Sequence, residues 1–185
     1  MEEYGAKDIK VLRPREAVRW RLHMYIGGEN ESLSPRVRLL ECAVRNLATG
    51  PLEIRLLLWR DDAVTIAYDG DPLPVELIGR PVNNVPHPAL YRLFLDVHVG
   101  GGSVSPSFAV LNMLSDFLFV STMHAGDCYR TTFAKGGIVE PLRRSRCRSP
   151  LGVTWLTYTP DTTLITGEVL TLDEVQGVAE RLAGC

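Results

Sequence analysis

The chain has 185 residues, 45% of them hydrophobic, and a formal net charge of −2 at pH 7. That length and apolar content suit one globular domain with a buried core, and no apolar run is long enough to span a bilayer. The weakly acidic balance gives no global drive toward nucleic acid, and the polar start MEEYGAKD is unlike a signal or transit peptide, so a cytoplasmic location is expected.

In chain order, Pro14 at a first helical position predicts a short helix over Arg15 to Arg21. Ser34 and Pro35 open a second, whose apolar stripe Val37, Leu40, Val44 and Leu47 marks a face buried against a sheet. Leu52 to Trp59 alternates as a strand, with Ile54, Leu56 and Leu58 on one side and Glu53 and Arg55 on the other. Arg60-Asp61-Asp62 makes a turn, and Val64 to Ala67 returns as the antiparallel partner. The segment from Asp71 to Pro88 is rich in proline and predicted irregular. A helix follows from about Pro88 to Val97, and another opens at Ser105-Pro106. Phe117 to Thr122, Tyr129 to Phe133 and Val153 to Tyr158 read as strands, and the capping box Thr171 to Glu174 opens the last helix. Helices mixed with mostly antiparallel strands predict an α/β sandwich of two layers.

Cys42, Cys128, Cys147 and Cys185 are far apart and read as free thiols in a reducing compartment. His23, His87, His98 and His124 have no helical i, i+4 spacing, so no metal site is expected from them. With no repeat or low-complexity linker, residues 1–185 read as a single unit.

The stretch YGAKDIKVLRPREAVRWRLHMYIGG, Tyr4 to Gly28, resembles the opening of the ATPase domain of gyrase B and its topoisomerase IV relatives, with similar strand, helix and Met-Tyr-Ile-Gly turn in the same order. The resemblance implies the Bergerat fold of the GHKL ATPases, a mostly antiparallel mixed sheet covered by helices on one face. It implies a single ATPase-type domain without the transducer and cleavage domains, and an N-terminal arm, residues 1–13, that wraps a second protomer. A homodimer is therefore expected, with gyrase itself as a candidate partner.

The resemblance also places an ATP pocket. Glu41 falls at the position of the general base that activates water, and Arg45 where a magnesium-holding Asn is expected. Asn46 lies one step, about 100°, around the helix. The plainer reading of Glu41 and Arg45 is an i, i+4 ion pair, and the sharper one is a guanidinium that meets phosphate oxygens. Either way a fixed positive charge disfavours magnesium, which puts hydrolysis in question.

In AYDGDPLP, anchoring on Gly70, Leu73 and Pro74 puts Tyr68 where the family has its adenine-reading Asp. Asp69 stands beside it and returns to that role on a one-residue slip; the bland alternative is a surface turn. Only Gly101 and Gly102 remain of the glycine-rich phosphate loop, with Ser103 standing in for the next position, as a remnant cradle or simply a connector. Val153 stands at the position of an adenine-binding Thr, and Arg130 matches an arginine at the pocket mouth. Arg143, Arg144, Arg146 and Arg148 form a basic run that reads as a solvated loop, or else as a grip on DNA. The expected function is a stand-alone pseudo-ATPase that binds protein partners. The alternative is a working ATP-binding domain or slow ATPase linked to DNA topology.

Overall fold

The computed structural model describes residues 12–27, 32–45, 47, 53–79, 86–97, 107–146 and 152–183. Two short helices come first, α1 (Pro14–Trp20) and α2 (Leu22–Ile26). Pro14 starts α1, and the Glu16 carboxylate accepts the Arg13 backbone N–H at 3.0 Å. Helix α3 (Pro35–Arg45) is capped as predicted, its Val37 N–H donating to Ser34 Oγ at 3.3 Å. Strand β1 (Ile54–Leu58) then turns through Asp62, at φ +59°, into β2 (Val64–Tyr68).

The proline-rich segment holds a small ordered pair, β3 (Leu77–Ile78) against β4 (His87–Pro88). Helices α4 (Leu90–Leu95) and α5 (Ser107–Met113) follow; the predicted start of the latter, Ser105-Pro106, lies outside the described residues. The chain continues through β5 (Ser115–His124), β6 (Asp127–Ala134), β7 (Gly137–Ser145) and β8 (Thr154–Pro160). Helix α6 (Leu172–Ala183) closes it on the expected capping box: Glu174 N–H donates to Thr171 Oγ1 at 3.3 Å, and Thr171 N–H to Glu174 Oε2 at 2.9 Å.

Six strands form one sheet in the order β1-β2-β8-β5-β6-β7, every pair antiparallel. Because side chains alternate along a strand, one face presents Val64, Ile66, Val120, Leu156 and Tyr158. These pack with Val18, Leu40, Val44, Phe94 and Val178 of the helices in a continuous core. Each such side chain removed from water contributes roughly 1.5–3 kcal/mol. Phe94 stacks on Phe133 with ring centroids 5.1 Å apart. Buried Asn112 donates to Phe94 O at 2.9 Å and accepts from Gly136 N–H at 3.2 Å, tying α4, α5 and the β6–β7 turn together. The opposite face carries only a small cluster, Ala67, Cys128 and Trp155, to which no described helix contributes.

Two expectations are corrected. The arginine run is not a loop: Arg143 and Arg144 belong to β7, Arg146 directly follows it, and Arg148 lies outside the described residues. Pro141 and the arginines hid this strand, and an outermost strand tolerates both because one side of its backbone faces no partner. Arg144 pairs with Asp127 at 2.5 Å. Among the described cysteines, Cys42 forms no disulfide, but Cys128 is disulfide-bonded, and Cys147 and Cys185 lie outside the described residues.

Candidate functional site

On the helix-covered side of the sheet α6 lies against β1, and α3 packs on α6 and α5; the resemblance puts the pocket beside α3. Glu41, on α3, is buried, because its stripe-facing neighbours Leu40 and Val44 pull that side of the helix into the core. Its Oε1 accepts the Arg181 Nε–H of α6 at 2.5 Å, and its Oε2 lies 3.9 Å from Arg45. Arg45 is largely exposed, 68% by side chain, so the i, i+4 pair is present but weak. The partner that holds Glu41 is Arg181, 140 residues on, and no local spacing could have named it. Only its place on the last turn of a capped amphipathic helix offered a signal.

Tyr68 ends β2 on the helix-side face. In the cross-strand register it stands opposite Thr154 of β8, which stands opposite Thr122 of β5. The three hydroxyls and one amide form a buried chain. Tyr68 hydrogen-bonds Thr154, Thr154 and Thr122 Oγ1 are 2.7 Å apart, and Thr122 Oγ1 accepts the Leu73 N–H at 2.9 Å. Burial pushes the Tyr68 phenol above its ordinary range; the Thr154 hydrogen bond works against that, and the Asp71 charge adds to it. Val153, aligned from sequence with the adenine-binding Thr, precedes this row. The hydroxyl beside Tyr68 comes from Thr154, the residue after it.

Asp69 follows Tyr68 out of the sheet and is turned to structural work. Its Oδ1 accepts Val153 N–H at 3.0 Å, and its Oδ2 pairs with Arg55 at 2.9 Å. Gly152, at φ +130°, makes this closeness workable: a Cβ there would lie 2.7 Å from Asp69 Oδ1. Gly70 and Pro74 are half-buried along the segment that leads to and from Leu73. Arg130 pairs in register with Ser121, which adjoins Thr122, so it lies on the sheet face opposite Tyr68. Asn46, Gly101, Gly102 and Ser103 lie outside the described residues.

No protein-family model matches the chain. It is 32% identical over 155 residues to the B subunit of the type 2 topoisomerase of Aquifex aeolicus, covering 76% of this chain and 19% of that protein. It is 31% identical over 150 residues to the gyrase B protein of Thermus thermophilus, covering 76% and 24%. Among solved structures, the 43K ATPase domain of Thermus thermophilus gyrase B in complex with an aminocoumarin matches with a TM-score of 0.73 and 26% identity, over 91% of this chain and 45% of that one. The chain is a divergent gyrase B ATPase-like domain. Its α/β sandwich is the Bergerat fold, and it spans 19% to 24% of the length of these two curated relatives.

In this gyrase B ATPase-like domain the residues that the resemblance puts at a metal position do not suit magnesium. A hard cation needs several oxygen ligands, whereas the Glu41 carboxylate already accepts from Arg181 and faces Arg45. Among the described residues, no cluster of His, Cys, Asp or Glu could hold a metal ion. The residue that the resemblance puts at the adenine differs in chemistry as well. A carboxylate offers only acceptors, while the Tyr68 phenol carries a donor and is already bonded to Thr154. No described helix is long and apolar enough to cross a membrane.

Proposed function

We propose that this chain is a non-hydrolysing relative of the gyrase B ATPase domain, a cytoplasmic protein that acts by binding a second copy of itself or another protein. The observation that carries this reading is the Arg181–Glu41 contact at 2.5 Å. A general base must accept a proton from water within hydrogen-bond reach. Glu41 instead has a guanidinium on one oxygen and a second cation beside the other. Arg45 also stands where the resemblance expects the metal-holding side chain, so the charge that builds during phosphoryl transfer lacks its usual counterion.

The test measures phosphate release from ATP, with and without magnesium, alongside a thermal shift over ATP, ADP and GTP. No magnesium-dependent release is expected. A sharp ATP-dependent stabilisation accompanied by steady phosphate release would sink the reading. The double variant Arg45→Asn, Arg181→Ala restores a free carboxylate beside an amide, and it should acquire magnesium-dependent nucleotide stabilisation that the parent lacks.

A second reading, a working nucleotide-binding domain or slow ATPase linked to DNA topology, draws on the 43% exposure of the Arg181 side chain, which leaves it room to swing away from Glu41. In that case Asp69, Gly101 and Gly102 join Glu41 in a remodelled pocket, and calorimetry would detect ATP binding. For partners, residues 1–13 are proposed as the dimerising arm, with gyrase as a second candidate. The β7 arginines Arg143 and Arg144, with Arg146 and Arg148, are proposed as a weak DNA contact. Sedimentation of the full chain against a chain lacking residues 1–13 tests the arm. Salt-dependent DNA binding before and after Arg143→Ala, Arg144→Ala tests the strand.

A further inference from the structure

The face of the sheet that carries no described helix holds an open groove of about 450 Å³ near the β1–β2 turn. Its walls are aromatic: Trp59, Phe117, Phe119 and Trp155. The register explains why they converge. Thr65 stands opposite Thr157, and Thr157 opposite Phe119, in one outward-facing row across β2, β8 and β5. Trp59 and Phe117 keep 52% and 42% of their surface exposed, an unusual display of large aromatic area on a protein surface.

The polar groups in the groove are almost all spoken for. The Trp59 indole N–H donates to Thr65 Oγ1 at 2.9 Å, and Thr65 and Thr157 share a hydrogen bond at 2.7 Å. The indole bond anchors the Trp59 ring edge to the floor, while about half of the residue's surface, 52%, stays exposed at the groove. The charged group in the lining is Asp61, which forms no ion pair among the described residues; its neighbour Asp62 is paired with Arg36, and Arg60 does not line the groove. An open, mostly apolar groove of this volume with one carboxylate in its lining suits a small organic ligand. Electron-rich ring faces beside a lone carboxylate select positive charge on an apolar body.

We propose that this groove is a binding site for a bulky organic ammonium, an aryl or alkyl quaternary cation held against the Trp59 ring and neutralised by Asp61. It lies on the sheet face opposite Tyr68 and is independent of the nucleotide question. The ligand needs no hydrogen-bonding groups of its own, because the threonine hydroxyls are already paired.

Calorimetric titration of the full chain tests this with an isosteric pair, (3-hydroxyphenyl)trimethylammonium and the uncharged 3-tert-butylphenol. The cation should bind at one saturable site about tenfold more tightly than the neutral compound. Trp59→Leu, which keeps apolar bulk and removes that ring, should about halve the preference, and Asp61→Asn should weaken the cation about fivefold while leaving 3-tert-butylphenol unchanged. Glu41→Gln should alter neither. Both groove substitutions fall on exposed residues, and circular dichroism verifies that the variants fold. Equal or tighter binding of 3-tert-butylphenol, absence of saturation by the cation, or an unchanged preference in Trp59→Leu would each overturn the proposal.

Discussion

Thr154 shows how one hydroxyl organises the helix-side face. It is buried between Tyr68 and Thr122, and through Thr122 it reaches the Leu73 amide. Thr154→Val keeps the shape but leaves two buried partners short of a bond, so it should destabilise the fold by about 1–3 kcal/mol, read from the urea midpoint at constant slope. Tyr158 makes the opposite case. Its side chain is fully buried and its hydroxyl has no hydrogen-bond partner among the described residues. Tyr158→Phe should therefore be neutral or slightly stabilising near neutral pH, since it removes a buried polar group that gains no bond. A clear loss of stability would reveal a partner for that oxygen. Gly152→Ala should be costly because both the positive φ and the Asp69 contact oppose a side chain.

Helix α6 is the element on which the candidate site turns. Its first turn is fixed by the reciprocal Thr171–Glu174 bonds, and its last turn carries Arg181 to Glu41. Thr171→Ala should cost about 1 kcal/mol in global stability, and hydrogen exchange of the α6 amides should rise further than that of β5. Uniform exchange in the two elements would show that the cap does not control the helix. The capping box and the apolar stripe are local patterns, and both were readable in the chain. Strand β7 was not, because Pro141 and its arginines contradict strand composition. Its register is broken where Arg130 and Thr132 of β6 meet Arg143 and Glu140, and an edge position absorbs that break.

For the molecule as a whole, the buried ionisable groups set the limits of pH stability. Asp161 is buried at the end of β8, paired with Arg19 at 2.7 Å and hydrogen-bonded by Thr163. Desolvation is the largest influence and raises its pKa, but the bonds from Thr163 and Arg19 together outweigh it and hold the carboxyl below its ordinary value. Its contribution is therefore present above the unfolded carboxyl pKa and is lost as pH falls through the lower folded value. Asp161→Asn should lower stability at neutral pH and flatten the acid limb, as measured by denaturation between neutral pH and about pH 3. Tyr158 and Tyr68 act at the other end: burial raises both phenols, so their share is present below about pH 10 and fades as pH rises further. Tyr158→Phe should soften that alkaline limb.

Helix starts, alternating strands and the gyrase-B-like opening were written into short runs of residues, since capping and periodicity act over a few positions. The choice of neighbours was not. That Glu41 meets Arg181 follows from the packing of α3 on α6, and that Thr154 rather than Val153 faces Tyr68 and that four aromatics share an outer groove follow from strand order and register. Those depend on how distant segments pack, and a one-residue change of register exchanges every side chain between the two faces of the sheet.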